Sequence, residues 1–238
     1  MPGGGGGEGG HDGALGRGGG HTAAWRDPAW PPDELNVVYA CSRVFYRLAF
    51  TLLFRFRAWG VENVPREGGA LLVANHQSFL DPPAVGLALS RVVHYVARAS
   101  LFRFPFLGWL LREQRAIPIE RGAGDLAAIR AAVDVLRRGG LLALFPEGTR
   151  SRDGSVGAFQ PGFAVVAARA RAPVVPVAID GAFEAWPRWR RVPCWGRVRV
   201  MYGDPVPPPE GGKAACVATA DEVRRRVVGL LGRLRERE

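Results

Sequence analysis

Lysine is nearly missing from this chain. Of its 32 basic residues only Lys213 is a lysine, and all the others are arginine. The bias runs through the whole sequence, so the arginine excess marks no site by itself. Cysteine is equally sparse. Cys41, Cys194 and Cys216 are odd in number and fit neither a disulfide framework nor a metal-ligand spacing, which points to a reducing compartment. No GxSxG elbow occurs, and neither Ser78 nor any cysteine has a partner at a recognisable spacing, so an enzyme nucleophile of the serine or cysteine type is excluded. The longest uncharged runs fall short of the ~20 apolar residues that a spanning helix needs. The N-terminus has no apolar core followed by a small-residue cleavage site, so no signal peptide is expected. No internal repeat is present.

Acidic residues are the minority, 22 against 32, leaving a net charge of +10. That balance favours acidic partners: nucleic acid, anionic lipid or a phosphorylated substrate. The basic residues are dispersed and no nucleic-acid-binding motif is present, which sets nucleic acid aside. The 238 residues are enough for one domain with a sizeable core.

Three units follow along the chain. Residues 1–33 are glycine-rich with few apolar side chains and read as a disordered tail. His11 and His21 lie there, and two isolated histidines do not close a metal site. Residues 34–59 contain the aromatic, apolar stretch Leu35 to Trp59, with Arg43 and Arg47 one turn apart and Arg55 and Arg57 near its end. It reads as a helix, either docked on the protein's own core or lying in a membrane interface. Its wide apolar coverage tips the reading to the interface. Residues 60–238 form the main domain.

Within that domain short apolar runs alternate with helical patterns. Ala70 to Ala74, Val92 to Ala97, Ala116 to Glu120, Leu141 to Phe145, Val174 to Ile179 and Arg197 to Met201 read as strands. Helices are expected after Asp81, over Asp125 to Arg138 with Asp125 as its cap, over Gly162 to Arg171, and over Asp221 to Glu238. Leu101 to Leu111 reads mostly as core, and His94 as a packed strand residue rather than a second base. The alternation predicts an α/β fold with a largely parallel sheet flanked by helices on both faces.

Two loops at strand ends carry chemistry. In ALLVANHQSFLD, Asn75-His76 ends a strand and Asp81 precedes Pro82-Pro83. On one continuous helix, residues five apart face different directions, so His76 and Asp81 meet only if His76 sits on the loop and Asp81 opens the next helix. An imidazole oriented by a carboxylate takes a proton from a hydroxyl. With no enzyme nucleophile, that hydroxyl belongs to a substrate. The second loop, FPEGTRSR, also follows a strand, and in such sheets ligands bind beyond the carboxyl ends of the strands. Gly148 lets backbone amides approach an anion, Thr149 adds a hydroxyl and Arg150 offers a planar fork for phosphate oxygens. Arg121 ends a third strand and joins them. Glu147 orients Arg150 or bonds a substrate hydroxyl.

NHQSFLD resembles the NHxxxxD signature of the glycerolipid acyltransferases, specifically the 1-acylglycerol-3-phosphate acyltransferases. IPIER is similar to their second block, FPEGTRS matches the third, and VVPVAI resembles the fourth. All four stand in the family's order between Ala70 and Gly181. The resemblance implies transfer of a fatty acyl group from acyl-CoA or acyl carrier protein to the hydroxyl of a lysophospholipid, without a metal or other cofactor, at the cytoplasmic face of a membrane. His76 is then the general base oriented by Asp81, and Arg121, Glu147, Gly148, Thr149 and Arg150 receive the acceptor phosphate. Other acceptors, glycerol 3-phosphate or a lyso-aminolipid, remain open, as does a non-catalytic lipid-binding protein. One departure bears on the acceptor: the family often carries a lysine after the third block, and this chain has Gln160 there.

Overall fold

The computed structural model describes residues 36–120 and 126–237. The glycine-rich tail with His11 and His21, Arg121 and the Asp125 cap lie outside them. Seven strands form one sheet: β1 (Arg57–Trp59), β2 (Ala70–Ala74), β3 (Val93–Arg98), β4 (Ala116–Ile119), β5 (Leu141–Leu144), β6 (Val174–Asp180) and β7 (Arg199–Tyr202). Their spatial order is β1-β7-β6-β2-β5-β3-β4. The five strands from β6 to β4 are parallel; β7 runs antiparallel to β6, and β1 runs parallel to β7. This is the α/β architecture that the alternating pattern predicts.

Strand periodicity divides the core in two. Leu71 and Val73 point to one face with Leu142, Val174 and Ala178, where they meet α4 (Leu126–Arg137), α5 (Gly162–Ala170) and α7 (Lys213–Glu236). Ala70, Leu72 and Ala74 point to the other with Val175, Val177 and Ile179, under α1 (Val37–Phe54), α2 (Asp81–Leu87) and α6 (Ala182–Ala185). All five residues of β2 and all seven of β6 are buried. A central parallel strand covered on both faces requires that, which is why these strands read as unbroken apolar runs rather than alternating ones.

Three expectations change. The N-terminal helix ends at Phe54, not at Trp59: Arg55 adopts a left-handed conformation (φ 42°), and the next residues pair with β7 as edge strand β1. The last helix begins at Lys213, eight residues before Asp221, because Cys216 and Ala220 already pack on the core. The Leu101 to Leu111 segment is not core. After a 3-10 turn, Ala99–Arg103, it forms α3 (Pro105–Glu113), of which Gly108 alone is buried, while Phe104, Phe106 and Trp109 face outward.

The outer side of α1 has an unusual composition for a surface helix. Val37, Val44, Phe45, Leu48 and Leu52 are exposed, Phe45 by 66 %, whereas Tyr39, Phe50 and Phe54 anchor the inner side. Arg43 turns back to the carbonyls of Leu89 and Ser90. The helix is long and apolar enough to cross a membrane by length and composition, with 17 % of it buried.

Candidate active site

The first functional loop starts where β2 ends. Asn75 prolongs the strand with its side chain: Oδ1 accepts the Ile179 N–H at 2.8 Å and Nδ2 donates to the Ile179 carbonyl at 2.9 Å. His76 comes next, on the loop, and Asp81 is the first residue of α2. The helix cap is Leu80, so the Asp81 carboxylate serves the loop behind it rather than capping its own helix. Its Oδ2 receives His76 Nδ1 at 2.8 Å, the Gln77 N–H at 2.5 Å and the Ser78 N–H at 2.7 Å. An oxygen taking two backbone N–H groups is acting as an acceptor, so Nδ1 carries the imidazole proton and Nε2 is the basic nitrogen. Asp81 is fully buried and its Oδ1 has no partner among the described residues, whereas the His76 side chain is 20 % exposed. The imidazole stacks on Phe145, ring centres 4.3 Å apart.

The second loop follows β5, the immediate neighbour of β2, and the backbone of His76 ties the two together. The Ser151 N–H donates to the His76 carbonyl at 2.7 Å. Glu147 Oε1 accepts the His76 N–H at 2.9 Å, and its Oε2 accepts the Gly157 N–H at 3.0 Å. Gln77 Nε2 donates to the Gly154 carbonyl at 2.7 Å. Glu147 therefore clamps the histidine loop to the segment after the FPEGTR turn, and neither of its oxygens bonds Arg150. Burial holds its carboxyl above the ordinary glutamate range, although both N–H donors oppose that shift. Gly148 is in the left-handed region (φ 70°), which the turn requires; it and Thr149 are exposed.

Arg150 lies across the ring of Phe79, its guanidinium carbon 3.5 Å from the ring centre. Phe79 belongs to the His76–Asp81 loop, so the guanidinium is seated on the same loop that carries the imidazole. Nη1 of Arg150 is buried without a hydrogen-bond partner among the described residues. Desolvation and the nearby Arg188 lower its hold on the proton, opposed by Asp81. A cation held on an aromatic face with an unused buried N–H is suited to receive an anion. Gln160 borders this turn: its Nε2 is 3.4 Å from where a Cβ on Gly148 would stand.

His94 is buried in β3 with Nδ1 near the Leu141 carbonyl, as a packed strand residue. Two contributors escaped the sequence reading. Phe145 backs the imidazole, and an aromatic at the last position before a Pro-Glu-Gly turn was the available signal. Trp186 stands 5.3 Å from Phe79 and accepts Ser78 Oγ–H at its carbonyl, a contact across 108 residues that no local pattern encodes.

With that geometry in place, comparison with known proteins gives a consistent result. The acyltransferase family model matches residues 55–180. A chloroplast 1-acyl-sn-glycerol-3-phosphate acyltransferase of Arabidopsis thaliana is 31 % identical over 165 residues, covering 68 % of this chain and 45 % of the plant protein. The 1-acyl-sn-glycerol-3-phosphate acyltransferase of Bacillus subtilis is 24 % identical over 63 % of this chain and 73 % of its own. The crystal structure of the 1-acyl-sn-glycerophosphate acyltransferase PlsC of Thermotoga maritima superposes with a TM-score of 0.68 at 30 % identity, covering 79 % of this chain and 77 % of that one. The matched region spans about half the length of the plant relatives.

Proposed function

The chain belongs to the acyltransferase family, and from that premise we propose that it transfers a fatty acyl group from a thioester, acyl-CoA or acyl carrier protein, to the free hydroxyl of 1-acylglycerol 3-phosphate, forming phosphatidic acid. The relatives named above carry that acceptor in their names.

The acceptor hydroxyl gives its proton to His76 Nε2 as its oxygen attacks the thioester carbonyl. Asp81 keeps the imidazole in the Nδ1–H form and stabilises the imidazolium. The tetrahedral oxyanion collapses, the C–S bond breaks, and the leaving sulfur takes the proton back from His76. The products are an ester and a free thiol. General-base assistance of this kind contributes about 10² to 10⁴ in rate. Arg150, whose Nη1 has no partner among the described residues, is the receiver for the acceptor phosphate, beside the exposed Gly148 and Thr149. Arg121 is assigned to the same phosphate from its place in the IPIER block. Glu147 acts by fixing the His76 backbone.

The observation that carries this reading is the suturing of the His76 loop to the FPEGTR turn through His76's own N–H and carbonyl, with Arg150 seated on Phe79 between them. One base and one phosphate receiver then face one substrate. The outward apolar stripe of α1 supports a peripheral or monotopic seat on a membrane, where both lysolipid and product reside, and the proposal puts it on the cytoplasmic face. A neutral amide, Gln160, beside the phosphate turn favours a second reading within the same chemistry, a different lysolipid or glycerol 3-phosphate as acceptor.

The test is product analysis. Purified protein is given acyl-CoA or acyl carrier protein donors with 1-acylglycerol 3-phosphate, glycerol 3-phosphate or a lyso-aminolipid. Phosphatidic acid as the main product supports the first reading, preference for another acceptor supports the second, and no acyl transfer to any acceptor rejects both.

A further inference from the structure

The rim of the sheet that carries His76 extends beyond the catalytic cleft. β6 ends at Asp180, which pairs with Arg199 at the start of β7, and Arg199 pairs with Arg57 at the start of β1. These three residues lie at the same end of the sheet as the β2 loop. From β2 to β1 is three strand spacings, about 14 Å. The C-terminus of α1 reaches this rim too: Leu53 and Phe54 accept the N–H groups of Gly196 and Val198 at their carbonyls.

Arg55, Arg57, Trp59, Arg197, Arg199 and Arg237 line a cavity of about 210 Å³ there. Among the described residues, one carboxylate, that of Asp180, is paired with these cations. Asp180 accepts Arg199 at 2.7 Å and, from outside the cavity, Arg235 at 3.1 Å. Arg237 leans on the Trp59 ring at 5.6 Å. Arg55, Arg57 and Arg197 are exposed and have no carboxylate partner among the described residues. Crowding like charges around a concavity raises the cost of the folded state unless an anion occupies it. A second hollow of about 390 Å³ shares Arg55 and Arg197 and is walled by Leu52, Leu53 and Trp195. Trp195 is 76 % exposed and Leu52 is 68 % exposed. An arginine pocket thus borders the apolar stripe of α1 and an outward tryptophan, which is the chemistry of a headgroup layer above acyl chains.

We propose that this arginine pocket is a second anion site, separate from the catalytic cleft, that seats the phosphate of an anionic membrane lipid and so holds the catalytic rim against the bilayer. The proposal rests on the membrane reading of α1. Its occupant is a bilayer lipid rather than a substrate: the pocket lies three strands from His76, while the uncovered Phe45, Leu48 and Leu52 continue from its wall.

The test is co-sedimentation of the full chain with vesicles of phosphatidylcholine alone and of phosphatidylcholine mixed with phosphatidylglycerol. The variants are Arg55→Gln/Arg57→Gln/Arg197→Gln and a control of equal net charge, Arg138→Gln/Arg225→Gln/Arg233→Gln, whose exposed positions lie in the turn that ends α4 and on α7, the helices of the opposite sheet face. Near an anionic surface each arginine is worth about fivefold in binding, so three give on the order of a hundredfold. The wild type and the control should prefer the anionic vesicles, and the pocket variant should fall to its binding on phosphatidylcholine alone. Acyl transfer to detergent-dispersed substrate and the melting temperature should stay at wild-type values, which separates a lost site from a lost fold. Undiminished anionic preference in the pocket variant overturns the proposal, as does an equal loss in the control. If the wild type binds both vesicles alike, the site fails and the membrane reading of α1 stands. If it binds neither, both fail.

Discussion

Asp81 shows how much one buried carboxylate decides. Its single oxygen orders two loop amides and the imidazole, so the loop conformation and the tautomer of His76 have one cause. Glu147 is a different case. Its two hydrogen bonds do not offset the burial of its charge, and its carboxyl stays above the ordinary glutamate range. A folded-state pKa above the unfolded one means that the folded protein binds the proton more tightly. The contribution of Glu147 to stability is then full below the unfolded pKa and lost as pH rises through the folded one. The stability of the wild type relative to Glu147→Gln should therefore decline as pH rises from the ordinary glutamate range toward neutrality, read as the difference in denaturation midpoints; a difference that grows as pH rises would contradict the burial of that carboxyl. Keeping a carboxylate at that cost fits a residue that positions the histidine. Arg150 answers to another readout. Arg150→Ala should raise KM for a phosphorylated acceptor about tenfold or more, as expected when a charge-assisted bond is removed, with a smaller change in kcat. An unchanged KM would displace it from the phosphate.

Among the elements, α1 is two-sided in an instructive way. Phe50 is 2 % exposed within the core while Phe45, Leu48 and Leu52 face outward. Phe50→Ala should cost about 3 to 5 kcal/mol of stability by leaving a cavity. Phe45→Ser/Leu48→Ser/Leu52→Ser should leave the fold intact and reduce binding to vesicles; wild-type sedimentation of that triple variant would remove the helix from the membrane. Deleting residues through Trp59 would not make this test, because it takes Phe50, Phe54 and β1 from the folded domain. The same helix marks where sequence reading reaches its limit. Buried strands such as β2 and β6 announce themselves as apolar runs bounded by turns, and the two functional loops follow from where those runs stop. An exposed apolar face and a buried one look alike in sequence, which is why α3 reads as core and yet presents Phe104, Phe106 and Trp109 to the outside. Edge strand β1 is three residues long and exists only through its pairing with β7, so it carries no periodicity of its own.

Over the whole molecule, one sheet brings together parts that are far apart in the chain. β2 and β5 are neighbours although about 70 residues separate them, and their C-terminal loops are hydrogen-bonded to each other at His76. The pairing of histidine and aspartate is local and was legible from five residues. The joining of that pair to the FPEGTR turn through Glu147 and Ser151 depends on strand order, which no local pattern contains. The central claim is that this cleft performs acyl transfer with His76 as its base. Its most direct test is single-turnover acyl transfer by His76→Ala beside wild type, with melting temperature and vesicle binding measured on the same preparations. The account predicts a loss of about 10² to 10⁴ in rate or more, with fold and membrane binding unchanged. Transfer at the wild-type rate by a folded His76→Ala protein would contradict it.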